Sequence, residues 1–186
     1  CEKISIDLRS GVFMPKTCDN KSVGILVWKD DALLMIKRKK YNFGHAIPAG
    51  QQDGDDPETT AKEELGQEVG LSTQELEEKL WIGLPNPCKR EGGSHHDWTI
   101  FEAKRWTGEV KTSEDETKGY FWADRKKIIA LAERLERFAK AKGISLSPDG
   151  HGLPQLVEAT NTDPAWQKDP GLEPPMWFLF RKLRII

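Results

Sequence analysis

The chain has 186 residues, enough for one domain with a proper hydrophobic core, whereas two independent domains would each be small. Its 28 Lys and Arg residues nearly balance its 30 Asp and Glu residues, and the formal charge of −2 gives no bulk attraction to nucleic acid or to an anionic membrane. The longest apolar runs, residues 23–28 and 176–180, are far shorter than the roughly 20 residues that span a bilayer.

The cysteines and the N-terminal residues indicate where such a chain would work. Three cysteines with no close pair argue against a disulfide framework and against a zinc site of the Cys-x-x-Cys kind. The N-terminal residues lack the pattern of a secretory leader. We therefore expect a cytoplasmic protein with no membrane partner.

The apolar segments of the first half predict a β-sheet. Residues 22–29 and 32–38 are rich in Val, Ile and Leu, and the Asp30 and Asp31 pair between them suits the turn of a β-hairpin. The polar loop at residues 86–96 is long, which is typical of functional or mobile loops. Three further apolar runs, separated by polar loops that contain glycine, are strand candidates: residues 80–84, 98–103 and 119–123.

Helix signals follow the hairpin. Asp56 suits an N-cap, Pro57 suits a first helical turn and Gly70 suits a C-terminal stop, so the sequence predicts a helix of about 12 residues. Residues 124–141 carry apolar side chains at helical spacing with charges between them, which predicts an amphipathic helix on one face of the sheet.

The C-terminal part has a different composition. Residues 144–170 are rich in Pro, Gly, Asp, Ser and Thr, which predicts a long surface excursion with at most short helical pieces. The Glu173-Pro174-Pro175 sequence predicts the start of a last helix that ends near Ile186. We expect its apolar residues 176–180 to be available as a homodimer interface.

Strands and helices mixed in this order predict an α/β fold in which a mixed β-sheet lies between helices. We interpret residues 1–186 as a single domain. Its core covers about residues 20–142, and residues 143–186 form a loop-rich extension with a terminal helix.

The first predicted helix carries an acidic face. At 100° per residue, Glu64, Gln67 and Glu68 project to the same side. Two carboxylates and an amide suit a hard divalent cation such as Mg²⁺, which prefers oxygen ligands and shares them with substrate phosphates. Gly50 lies in the loop before the helix N-terminus, where backbone N–H groups favour anions. An acidic helix face is more commonly a solvated surface, and only the bracketing Gly50 and Gly70 favour a metal and phosphate site.

These residues resemble the Nudix box, G-x5-E-x7-R-E-U-x-E-E-x-G-U, in which U is a bulky aliphatic residue. The matching positions are Glu64, Leu65, Glu68, Gly70 and Leu71. The departures are Asp55 for the upstream Glu, Glu63 for the Arg, and Gln67 for the first Glu of the pair; Ala49 falls on the first Gly. The resemblance covers the layout of the chain from residue 22 to about residue 140.

The resemblance implies a Nudix fold and hydrolysis of a pyrophosphate bond in a nucleoside diphosphate linked to another moiety, with Mg²⁺ or Mn²⁺ as cofactor. It implies that Glu64, Gln67 and Glu68 occupy metal-binding and catalytic positions and that Gly50 shapes the loop beside the substrate. The general base in this family is either a Glu of the box or an acid on a distant loop. The loop candidates here are Glu114, Asp115 and Glu116, of which we favour Glu116.

Gln67 raises two hypotheses about this chain. An amide oxygen binds a hard cation more weakly than a carboxylate does, so activity would be reduced. Because Gln has the shape of Glu, it could be an engineered replacement that traps a substrate, or it could be a natural divergence. The alternative functions are a catalytically inactive Nudix-fold module that binds nucleotides or regulates, and a plain interaction domain with an acidic surface.

Four other side chains are candidates for substrate binding. Arg38, at the end of the second predicted strand, could bind phosphate, although a solvated strand end is an equal alternative. Tyr41 and Trp98 could stack on a nucleobase, although most aromatic residues are part of a core. His95 could contact a base or a phosphate, although loop histidines are more commonly solvated.

Overall fold

The computed structural model describes residues 17–113 and 115–186, together with the backbone of the short antiparallel strands β1 (Ser5–Ile6) and β2 (Phe13–Met14). Glu114, one of the three candidate bases, therefore lies outside the described residues. None of the helices in this described part of the chain is long and apolar enough to cross a membrane.

Two four-stranded sheets form the body of the molecule. In the first sheet the order is β7-β3-β9-β8, and β3 runs parallel to β9 while the other pairs are antiparallel. In the second, antiparallel sheet the order is β10-β5-β4, and β6 also pairs with β5. The strands are β3 (Lys21–Leu26), β4 (Trp28–Lys29), β5 (Ala32–Arg38), β6 (His45–Ala46), β7 (Ala49–Gln51), β8 (Ser72–Leu84), β9 (His96–Thr107) and β10 (Thr117–Ala123). The predicted α/β fold with mixed sheets is confirmed.

The predicted hairpin is present but shorter than expected. β4 and β5 pair across Asp30 and Asp31, with Lys29 opposite Ala32. The preceding strand β3 belongs to the other sheet, and the chain passes from one sheet to the other at Val27. The Val27 carbonyl accepts a hydrogen bond from the Leu34 N–H of β5 at 2.9 Å. The continuous apolar run of β3 suits a central strand that is buried on both faces.

The two predicted helices of the core are confirmed. Helix α1 spans Pro57–Val69, and Oδ1 of its N-cap Asp56 accepts hydrogen bonds from the N–H groups of Glu58 and Thr59 at 3.1 and 3.0 Å. Gly70 ends the helix with a φ of 71°, a conformation that glycine adopts without steric strain. Helix α2 spans Arg125–Ala141 and turns its apolar side to the core.

The C-terminal extension contains three helices: α3 (Leu153–Thr162), α4 (Pro164–Lys168) and α5 (Pro174–Lys182). The prediction of a surface excursion is wrong for α3, which buries Leu153, Leu156 and Val157. These three residues have the i, i+3, i+4 spacing of a helix face. The prediction gave more weight to the polar and glycine-rich composition around these residues than to their helical spacing.

The terminal helix α5 is part of the core. Residues 176–180 are all buried, with at most 4% of Trp177 exposed, so they are not available as the homodimer interface that we expected. The indole N–H of Trp177 also donates a hydrogen bond to Glu136 of α2 at 2.8 Å. Before α5 the chain joins the edge of the second sheet, where the Glu173 N–H donates to the His45 carbonyl at 2.9 Å.

If the extension is integral to the domain, removing a large side chain from α5 should destabilise the whole molecule. Phe178 is 1% exposed, and we expect Phe178→Ala to lower the free energy of unfolding by about 3–5 kcal/mol in urea denaturation. The control Ile129→Ala, on the exposed side of α2, should change it by no more than about 0.5 kcal/mol. A separate unfolding transition for the extension would contradict this expectation.

Candidate active site

A cavity of about 200 Å³ lies where both sheets, helix α1 and the C-terminal extension meet. Its walls come from the ends of β5 and β7, from α1, from the start of β9 and from the loop between β8 and β9. The residues just before β10 and α5 complete it. The cavity is therefore lined by side chains that are more than a hundred residues apart in the sequence.

Glu68 of α1 is held by two groups beside the cavity. Glu68 is only 1% exposed. Its Oε2 accepts a hydrogen bond from the Ala49 N–H at 2.9 Å, and its Oε1 lies 3.6 Å from Nη1 of Arg38. Burial is the main reason why the pKa of Glu68 is raised to about 8, and the nearby carboxylates of Glu64 and Glu116 raise it further. Arg38 and the Ala49 N–H favour the ionised form and therefore lower it. An additional cation at this place would stabilise the carboxylate.

Glu64 packs directly against the backbone of Gly50. A Cβ atom added at Gly50 would lie 2.1 Å from Cδ and 2.2 Å from Oε1 of Glu64, far inside van der Waals contact. Because only glycine leaves space for this carboxyl group, β7 and α1 can approach closely enough to bring it to the cavity. The sequence analysis identified Gly50 as a residue of the loop before the helix. The structure shows that a larger residue there would collide with Glu64.

Arg38 lies at the end of β5, and its side chain is 21% exposed. Burial by itself would lower the pKa of the guanidinium. The negative charges of four nearby carboxylates outweigh this effect and raise the pKa; they belong to Glu173, Glu68, Glu116 and Glu64. Glu116 is brought close because Thr117 of β10 pairs with Arg38.

The arginine at the cavity is not the arginine position of the Nudix box. The box places an Arg where this chain has Glu63, which is exposed, and a strand residue supplies the central cation instead. The Nε atom of Arg38 is buried and has no hydrogen-bond partner among the described residues.

The two aromatic candidates both line the cavity. The Tyr41 hydroxyl donates a hydrogen bond to the Pro87 carbonyl at 3.3 Å, and the Trp98 indole N–H donates to Oδ1 of Asn86 at 3.1 Å. Both partners belong to the loop between β8 and β9, so this predicted functional loop forms one wall of the cavity. Tyr41 and Trp98 are thus fixed at its border.

Two predicted site residues lie elsewhere. Gln67 and His95 are exposed and are not among the described residues that line the cavity. His96 lines it instead, and burial lowers the pKa of this histidine to about 4, so its imidazole is neutral at neutral pH. The alternation of side chains along β9 places His96 on the same side as Trp98, a signal that could have distinguished the two histidines.

Glu173 is a cavity residue that sequence reasoning missed. It is 4% exposed, and its Oε1 accepts a hydrogen bond from Nδ2 of Asn42 at 3.1 Å. Burial raises its pKa, against the opposing effects of Arg38 and Asn42. Its Oε2 is buried without a hydrogen-bond partner in the described part of the chain. No local pattern marks this residue, because its neighbours in the cavity are distant in sequence.

The carboxylates of the cavity fit a hard divalent cation. Glu64 and Glu116 line the cavity and Glu68 lies buried beside it; their carboxylate oxygens suit Mg²⁺ and Mn²⁺ better than softer metals. The burial of Glu68 adds a physical reason, since a positive ion offsets the unfavourable free energy of its ionised form.

Solved structures similar to this chain include three Nudix-type proteins, of which the first has the same fold. A MutT Nudix hydrolase from Burkholderia pseudomallei is 20% identical, with a TM-score of 0.50 over 57% of this chain and 84% of that chain. A MutT protein from Bacillus halodurans is 20% identical with a TM-score of 0.48 over 59% and 71% of the two chains. An Ap4A hydrolase from C. elegans is 15% identical with a TM-score of 0.45 over 75% and 93%.

Comparison at the level of sequence identifies the family. No curated protein matches the chain. The family model described as the NUDIX domain matches residues 19–143, which is more than half of the chain. That stretch contains β3–β10, α1 and α2 and thus both sheets with the acidic helix. The chain belongs to the Nudix hydrolase family.

Proposed function

We propose that this chain is a metal-dependent pyrophosphohydrolase that cleaves a nucleoside diphosphate linked to another moiety. The observation that supports this most directly is that Glu64 of the Nudix helix meets Arg38 and Glu116 at one cavity, while Glu68 of the same helix is paired with Arg38 beside it. Membership of the Nudix hydrolase family supports the reaction class.

In this proposal Glu64 and Glu68 hold Mg²⁺ or Mn²⁺. Gln67 does not line the cavity, and in this proposal its amide oxygen would be a weaker ligand that reaches the ion from the exposed side of α1. When bound, the metal neutralises charge on the phosphate oxygens and polarises the phosphoryl group. Gly50 keeps the Glu64 carboxyl group at the cavity.

Glu116 is our candidate for the general base. It lines the cavity and can accept the proton that a water molecule loses as its oxygen bonds to phosphorus and the bridging P–O bond breaks. Arg38 and Lys40 are cationic residues that line the same cavity, and they would bind phosphate oxygens.

Two adjoining cavities support a substrate with two parts. The second cavity, of about 460 Å³, lies between α3 and the first cavity and shares Tyr41 and Pro87 with it. We propose that the diphosphate and a base stacked near Tyr41 and Trp98 occupy the first cavity. The other moiety would extend over Tyr41 into the second.

A binding module without catalysis is the second candidate, and the departures at Glu63 and Gln67 favour it. Both proposals predict nucleotide binding at the same cavity, and they differ only in turnover. A panel of dinucleotides, nucleoside triphosphates and nucleotide sugars, assayed with Mg²⁺ and with Mn²⁺, separates them. Nucleotide binding without hydrolysis of any member would support the binding module.

The first test concerns the two carboxylates of the helix. Glu64→Gln and Glu68→Gln each remove a charged metal ligand, and we expect Mg²⁺-dependent hydrolysis to fall by about 100-fold or more. Glu58→Gln is a matched control on the exposed first turn of the same helix and should leave the rate unchanged. Equal rates in all three variants would rule out this metal site.

The second test concerns the steric role of Gly50. In Gly50→Ala the new methyl group would displace the flexible end of Glu64, so we expect hydrolysis to fall while the domain stays folded. In the control Gly66→Ala the added Cβ meets nothing closer than the Leu71 carbonyl at 3.8 Å. That variant should keep its activity and gain about 0.5–1 kcal/mol of helix stability. Full activity of Gly50→Ala would contradict the role of Glu64.

The third test concerns Gln67. Because a carboxylate is a stronger ligand for a hard cation than an amide, we expect Gln67→Glu to raise Mg²⁺-dependent hydrolysis at least about 10-fold. The measurement is the rate of nucleotide or phosphate release against the substrate panel. No gain would reject the hypothesis that Gln67 replaced a native glutamate that activity requires.

A further inference from the structure

Three soft or borderline metal ligands converge at one edge of the cavity. Cys18, just before β3, Cys88 in the loop between β8 and β9, and His96 at the start of β9 each place one ligand atom within 4.8 Å of the others. Sγ of Cys18 lies 3.3 Å from Nε2 of His96. Ligands around a tetrahedral zinc ion lie roughly 3.5–3.8 Å apart, so small adjustments would complete such a geometry.

The imidazole of His96 is oriented as a metal ligand would be. Its Nδ1 is 2.8 Å from Oγ of Ser22, a hydrogen bond that leaves Nε2 pointing at the Cys18 sulfur. Ligating histidines are commonly held in this way, with the second ring nitrogen bonded to a fixed oxygen. His96 is 6% exposed, so the ring has little freedom to turn away.

The backbone around Cys88 is shaped for a sulfur that accepts hydrogen bonds. The Arg90 N–H donates to Cys88 Sγ at 3.4 Å, and Nε2 of Gln51 donates to the same atom at 2.8 Å. The turn closes on Gly93, where an added Cβ would lie 2.2 Å from Cβ of Cys88 and 3.0 Å from Sγ of Cys18. Glycine at this position allows the two cysteines to approach.

We propose that Cys18, Cys88 and His96 form a zinc site that shares no ligand with the magnesium site of Glu64 and Glu68. Two thiolates and a neutral imidazole suit Zn²⁺ and are poor ligands for Mg²⁺. Two thiolate charges balance those of Zn²⁺, which allows the ion to be bound where the ligands are largely buried.

The fourth ligand position falls to Gln51 or to a water molecule. Nε2 of Gln51 lies 3.4 Å from Cys18 Sγ and 2.8 Å from Cys88 Sγ, and its buried Oε1 has no hydrogen-bond partner among the described residues. A half-turn of the amide would bring Oε1 to the metal. Zinc with three protein ligands and one exchangeable position is a known arrangement.

The zinc ion would fix the cavity wall. Cys88 lies within the loop between β8 and β9, His96 is the first residue of β9, and Cys18 belongs to the segment that leads into β3. A bond from each to one ion would join this loop to the edge of the first sheet. The loop carries Asn86 and Pro87, which hold Trp98 and Tyr41, so metal binding would order the residues at the substrate cavity.

The test uses the full chain, reduced with a phosphine and freed of metal by dialysis against a chelator. We expect one Zn²⁺ or Co²⁺ per chain, and Co²⁺ should give sulfur-to-metal charge-transfer absorption and the visible bands of a tetrahedral site. Cys18→Ser, Cys88→Ser and His96→Gln should each weaken binding about 100-fold or more, because each removes a direct ligand.

His95→Gln is the matched control for His96→Gln, since His95 is the exposed neighbour, and it should bind Co²⁺ normally. Glu64→Gln should also bind Co²⁺ normally, which makes the result independent of the proposed hydrolysis. Circular dichroism of each variant separates loss of the ligand from loss of the fold. A reduced chain that shows no sulfur-to-cobalt absorption, or that keeps it in Cys18→Ser and His96→Gln, would overturn the proposal.

Discussion

The interaction on which the site depends is the placement of one guanidinium among four carboxylates. Arg38 attracts Glu173, Glu68, Glu116 and Glu64, and each comes from a different place in the fold or a different turn of α1. A carboxylate buried without a partner is strongly unfavourable, so these acids can lie at and beside one cavity because the charge of Arg38 attracts all of them. The charge on β5 thereby fixes α1, the start of β10 and the start of α5 relative to one another.

Local features of the site were predictable from sequence. Asp56 and Gly70 bracket α1 because capping and a left-handed stop depend on single residues and their immediate neighbours. Glu64 and Glu68 share a side of the helix because helical geometry fixes their relative direction. Their proximity to Gly50 follows from the short connection between β7 and α1.

Features made by distant parts of the chain were not predictable in this way. Glu173 lies near Arg38 although the two are more than a hundred residues apart in sequence. The backbone hydrogen bond between Glu173 and His45 that brings it there cannot be recognised from the local composition. The convergence of Cys18 with Cys88 likewise depends on where β3 and the loop between β8 and β9 lie in the finished sheet. Helix α3 was hidden for a different reason, since its apolar stripe is short and its surroundings are polar.

The contact between Gly44 and Glu173 holds a segment outside the family match against the second sheet. A Cβ at Gly44 would lie 2.4 Å from the Glu173 backbone, so the extension is seated tightly against the edge of β6. Yet the match to the family ends at residue 143, before Glu173 and before α3, which borders the second cavity. In the proposed function the acidic helix that carries the reaction lies inside the stretch that matches the family, whereas α3, which would contact the other moiety of the substrate, lies outside it.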